Sequence, residues 1–202
     1  MSDVLGIPKE IMEALQTQAL ALGASACGVI ATADLVIEER FAAMCGAPTP
    51  CPSYGLAPGC PPHAPSVQDF RDEMASYLQV LVFKIDAPMT DLLGRTRLEI
   101  ARTIHRIAAS LERLAQEEGM RRAKGMAAGS CKELFCTDEK ACVVLAQGVS
   151  CRHPDLARPS ISAVGVDFAA LAGKLGWPFG PLPSTPPDTP VMGLMAGLVL
   201  LG

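Results

Sequence analysis

Residues 44–65, MCGAPTPCPSYGLAPGCPPHAP, constrain this chain most: the run holds seven prolines and three glycines. Proline fixes φ and removes a backbone donor, so neither a helix nor a central strand can persist there. A structureless loop of this length is uncommon in a compact domain unless function or a bound ion organises it. Cys45, Cys51 and Cys60 lie inside the run, with five and eight residues between them. They point to a metal as the organiser.

A second stretch, residues 129–160, reads GSCKELFCTDEKACVVLAQGVSCRHPDLARPS and carries Cys131, Cys136, Cys142 and Cys151. Four thiolates suffice for one tetrahedral metal or one iron–sulfur cluster. Soft, anionic sulfur converging from Gly/Pro-containing backbone is what such a centre requires. The chain has 8 cysteines in 202 residues, well below the ~8–10% of a disulfide scaffold. The N-terminus shows no basic region followed by an apolar run and a cleavage site, so a cytoplasmic location is expected. Thiols in a reducing compartment stay free, bind metal or do chemistry. A single cysteine is commonly a small buried hydrophobe, which is the reading for Cys27 within SACGVIA. Seven in two polar loops need another explanation.

The spacing limits what the centre can be. No C-x-x-C occurs anywhere, which argues against a zinc ribbon, the tight run of bacterial ferredoxins and a thioredoxin-type pair. Pro61 and Pro62 follow Cys60, and Pro154 follows Cys151 closely; such prolines either stiffen the turn that aims a sulfur or simply punctuate loops. His63 and His153 could complete a coordination sphere, hydrogen-bond to a ligand, or be surface groups. Arg152 and Arg158 could offset thiolate charge or bind an anion, or pair with Asp155 or Asp167.

The rest of the chain reads as scaffold. Pro8 opens a helix with Ile11, Leu15, Ala19 and Leu22 on one face, closed by Gly23. Residues 25–31 form a buried strand, and Leu35-Val36-Ile37 a second short strand or the start of a helix through Phe41. Ser66 caps a helix to about residue 76, with Asp69 reaching back. Residues 77–85, YLQVLVFKI, are the central strand. Residues 91–118 form one long helix with Ile100, Ile104, Ile107, Leu111 and Leu114 as its apolar stripe. Arg95, Glu99, Arg102, Arg106 and Arg113 lie off it as a solvated face, and His105 is packing or surface. A strand over 121–128 leads into the second cysteine loop. Two short helices over 159–163 and 167–175, an irregular tail WPFGPLPSTPPDTP and a last strand over 193–201 complete the order. The expectation is a single α/β domain of the α+β type over 1–202, its sheet mixed or largely antiparallel, with two long cysteine-bearing loops.

Several function classes find no support. A net charge of −4 leaves no basic footprint for nucleic acid. The apolar run 191–201 is about half the ~20 residues a bilayer span needs, so no membrane association is expected. GxGxxG, Walker, nucleophile-elbow and H-E-x-x-H motifs are absent. Whether the protein is an enzyme stays open.

YGLAPGCPPHAPS (residues 54–66), GSC (129–131), CRHPDLARPS (151–160) and VGVDF (164–168) together resemble a family of predicted metal-binding proteins, domain of unknown function 2284. The resemblance spans nearly the whole chain and implies an organism range rich in anaerobes and cysteines that bind metal, with an iron–sulfur cluster as the expected group. It carries Cys51, Cys60, Cys131 and Cys151 over as family cysteines, with Cys45 at a commonly occupied position. The family's second loop packs its cysteines nearer a C-x-x-C-x-x-C, whereas Cys136 and Cys142 are farther apart. The expectation is one [4Fe–4S] cluster on Cys131, Cys136, Cys142 and Cys151. Cys45, Cys51 and Cys60 are expected to form a second metal site or a resolving set, and a redox partner protein is implied. The alternative is structural zinc in a scaffold or interaction module.

Overall fold

The structure is a computed structural model and describes residues 6–46, 48–179 and 190–202. Four antiparallel strands form its sheet in the order β1-β2-β4-β3: β1 (Ala26–Ala31), β2 (Gln79–Pro88), β3 (Ala123–Met126) and β4 (Met192–Leu201). The two longest strands, β2 and β4, pair centrally along their whole length, from Gln79 opposite Leu201 to Pro88 opposite Met192. Successive strand side chains point to opposite faces, and here both faces are covered. Val80, Val82, Leu198 and Leu200 pack on one side with Phe70, Met74 and Leu171. Leu81, Phe83, Val199 and Leu201 pack on the other with Leu15, Ala19, Ile104, Ile107 and Leu111. That double burial is why β2 and β4 read as continuous apolar runs rather than alternating ones.

The helices follow as α1 (Lys9–Ala21), α2 (Glu39–Ala43), α3 (Val67–Met74), α4 (Met89–Leu93), α5 (Arg97–Glu117), α6 (Cys131–Phe135), α7 (Val143–Gln147) and α8 (Phe168–Lys174). The α+β class is as expected. The long helix is shorter than its periodicity suggests, because α4 and α5 are separate. At Gly94 a β-carbon would lie 2.7 Å from the Thr90 carbonyl oxygen, and the chain turns there before α5 begins. Leu35-Val36-Ile37 is neither strand nor helix. It follows a 3-10 turn over Thr32–Asp34 and makes one bridge, Ile37 with Val166; Leu35 and Ile37 are drawn over the sheet face by core burial rather than into the ladder. Residues 159–163 give a 3-10 turn, Ser162–Val164, in place of a helix. The tail falls mostly at residues 180–189, outside the described residues. Among the described residues, no helix is long and apolar enough to cross a membrane.

Ser66 caps α3 as its sequence suggests. Its Oγ accepts from the Asp69 N–H at 3.1 Å, while Asp69 Oδ2 accepts from the Ser66 N–H at 3.3 Å. Replacing Ser66 by alanine is expected to cost about 1 kcal/mol, read as a lowered urea midpoint. Because α3 directly follows the first cysteine loop, this change tests how firmly that loop's far end is pinned.

Candidate metal centre

Both cysteine loops are tied down by backbone. The second loop leaves β3 and returns to it: Ala127 N–H donates to the Pro159 carbonyl at 2.8 Å, and Ile161 N–H to the Ala127 carbonyl at 3.0 Å. The first loop docks on that return segment, where Ser160 N–H donates to the Gly59 carbonyl at 3.3 Å. Gly59 allows this contact, since a β-carbon there would sit 2.7 Å from Pro159 Cα. The Pro61–Pro62 peptide beyond it is cis.

Helix α5 clamps the second loop with polar side chains, among them Arg102, which its sequence pattern places on a solvated face. Arg102 Nε donates to the Leu134 carbonyl at 3.0 Å, and Arg97 pairs with Glu133 at 2.5 Å. His105 is fully buried, and its Nδ1 accepts the Arg158 N–H at 3.1 Å. Glu112 takes the Arg158 guanidinium at 3.0 Å. Arg95, Arg106 and Arg113 do remain exposed. Arg152 pairs with Glu139, so neither loop arginine uses the aspartates its sequence neighbourhood offers.

The seven loop thiols gather around two cavities. Cys131, Cys136, Cys142 and Cys151 line one of about 390 Å³, with Phe135, Val144, Val149 and Pro154 among its apolar walls and His153 at its edge. Cys45, Cys51 and Cys60 line another of about 190 Å³, with Ser130 and Glu133. Three chain crossings separate them. Gly59, Cys131 and Pro159 face the larger cavity, while their neighbours Cys60, Ser130 and Ser160 face the smaller one. Cys27 lines neither and packs against the α1–α5 side of the core. His63 is exposed and lines neither cavity. His153 donates its backbone N–H to Cys151 Sγ at 3.3 Å. Among the described residues, no three His, Cys, Asp or Glu side chains stand close enough to hold a single metal ion.

Electrostatics in the larger cavity is dominated by sulfur. Burial, then Cys60, Cys151, Cys142 and Cys136, pushes the Cys131 thiol up to about 12. Burial also raises Cys136, with Cys151 adding to it and the Lys132 and Arg152 charges opposing. Lys132 Nζ is held over this turn by the Cys136 and Glu139 carbonyls at 2.7 Å each. Burial raises Cys60, and the Ser130 hydroxyl pulls it partly back. That hydroxyl is buried without a well-formed hydrogen bond of its own.

His105 makes the anchoring pH-sensitive. Burial lowers it from 6.5 to about 4, the Leu156 and Ala128 carbonyls opposing and the Arg158 charge adding. The unfolded imidazole therefore takes up its proton first. Stability from this site is whole above pH 6.5 and is lost as pH falls toward about 4, by up to about 3 kcal/mol. Urea denaturation across that window should show the loss. His105→Gln, which keeps an acceptor for Arg158, should flatten it.

Seven thiols gathered on two loops of an α+β domain define a cysteine-rich, metal-binding class of protein. The family model described as predicted metal-binding protein (DUF2284) matches residues 28–201, and the chain belongs to that family. No curated protein and no solved structure matches it significantly. Sequence reasoning found the thiols from their grouping; it missed His105, Arg97, Arg102 and Glu112 as loop anchors. No sequence signal marked them, because their partners lie far along the chain.

Proposed function

We propose that the protein is an iron–sulfur protein holding one [4Fe–4S] cluster on Cys131, Cys136, Cys142 and Cys151, with an electron-transfer or redox-support role for a partner protein. The observation that carries this reading is that these four cysteines line one cavity of about 390 Å³ with largely apolar walls. A four-iron cluster gives each thiolate its own iron, so its ligands stand farther apart than those of one ion.

The chain's own residues suit the task. Lys132 and Arg152 supply positive charge beside the thiolates, offsetting a cluster's negative charge. The His153 N–H on Cys151 Sγ stabilises electron-rich sulfur, a recognised lever on potential. Phe135, Val144 and Val149 limit water around the sulfurs. When bound, the cluster would supply one-electron exchange.

Anaerobic purification followed by iron, sulfide and zinc analysis tests the reading, with electron paramagnetic resonance of the reduced protein. The expected result is a brown protein with about four irons and four sulfides per chain. A colourless protein with stoichiometric zinc would overturn it in favour of a structural scaffold. A protein without metal sinks both.

A further inference from the structure

The smaller cavity invites different chemistry from the larger one. Its three thiols do not converge on a point among the described residues. Cys51 is exposed, Cys45 half-buried and Cys60 buried. The Cys51 N–H donates to the Cys45 carbonyl at 2.9 Å. With standard bond lengths this holds the two α-carbons within about 6.8 Å, inside the range a disulfide spans. Among neighbouring charges, Cys51 bears most on the Cys45 thiol and Cys60 next. Pro48 and Pro50 lie between the two cysteines and Pro52 follows Cys51, each fixing φ at its own position. One thiol is thus open to solvent and a second is half-buried within reach of it along the backbone.

We propose that Cys45 and Cys51 form a dithiol that exchanges with low-molecular-weight disulfides, a redox activity separate from the cluster in the neighbouring cavity. The Cys51 thiolate attacks one sulfur of the small disulfide, whose S–S bond breaks and expels one thiolate. Cys45, as thiolate, then attacks the Cys51 sulfur, forming the Cys45–Cys51 bond and expelling the second. The two protons given up by the cysteines end on the two released thiols. The small disulfide is reduced by two electrons and the protein dithiol is oxidised by two. Exposure makes Cys51 the point of attack and Cys45 the resolving thiol.

The test uses the full chain, purified anaerobically and treated with oxidised glutathione, then acid-quenched and alkylated. Cys45, Cys51 and Cys60 share one tryptic peptide, residues 41–71, so tandem mass spectrometry must locate the linkage. The expected result is a Cys45–Cys51 disulfide, an alkylated Cys60 and two glutathione molecules released per chain. Cys45→Ser should retain one glutathione on Cys51, and Cys51→Ser should leave Cys45 unmodified. The proposal is overturned if glutathione stays on wild-type Cys51, if the disulfide joins Cys60 instead, or if neither cysteine reacts. Iron content of the same samples decides the cluster reading separately, so either can fail while the other stands.

Discussion

Replacing Cys131 by alanine should lower iron per chain by more than about tenfold, since losing a direct ligand costs at least as much as losing its hydrogen-bond partner. Cys131 is the thiol around which the others are arranged. It begins α6, lines the four-cysteine cavity and feels Cys60 from across the partition before any cysteine of its own loop. A thiol pushed up to about 12 becomes a thiolate at neutral pH only against a strong positive field, which a metal centre provides. The remaining second-loop thiols already line the same cavity, so none is free to take its place. The side-chain truncation itself removes one small, half-buried group, a loss of about 1 kcal/mol or less, and any larger fall in stability reports the lost centre. Cys27→Ala is the control. Cys27 lies opposite Phe83 in β1–β2, its thiol 3.9 Å from the Gln16 carbonyl, so this variant should keep wild-type iron. Iron and sulfide analysis of anaerobic protein reads both, and retained iron in Cys131→Ala would refute the ligand assignment.

Gly59→Ala should weaken the fold and the centre together. The added β-carbon would meet Pro159 Cα at 2.7 Å and Pro159 Cβ at 3.2 Å. Neither atom is the end of a flexible side chain, so the two cysteine loops must move apart. The Ser160–Gly59 hydrogen bond, already 3.3 Å long, would be lost with them. Overpacking of this kind costs about 1–3 kcal/mol, and the lost hydrogen bond adds about 1 kcal/mol. Moving this partition also shifts Cys60 relative to Cys131, so iron loading should fall beside the urea midpoint. Gly173→Ala provides the comparison: it lies in α8 with nothing within 4 Å of its β-carbon, and a helical Gly→Ala there should be neutral or stabilising by about 0.5–1 kcal/mol. Wild-type stability in Gly59→Ala would show that the partition is softer than its contacts imply.

The scaffold was legible where local rules and burial agree. β2 and β4 are apolar because both sheet faces are covered, and Ser66 with Asp69 is a capping pair that acts over three residues. The same local reading erred at Gly94, where a break separates α4 from the helix that carries the apolar stripe, and at Leu35-Val36-Ile37, where Leu35 and Ile37 are buried with a single bridge in place of a ladder. On α5 it erred at Arg102, whereas His105, read as packing or surface, is packed. Arg102 and His105 look like surface or packing groups until a loop far along the chain comes down beside them, Arg158 reaching His105 across 53 positions.

By itself, the sequence determined that seven thiols lie in two loops too rich in proline, glycine and polar residues to fold by packing alone, because that is a matter of local composition. It likewise determined an α+β frame around them, because apolar periodicity is read residue by residue. Only the tertiary structure decided that these two sets, already separate along the chain, line neighbouring cavities, with Cys60 and Cys131 on either side of a thin partition. The physical reason is that Gly59, Ser130 and Pro159 build that partition from three segments remote in sequence, held by backbone contacts that no spacing between cysteines encodes.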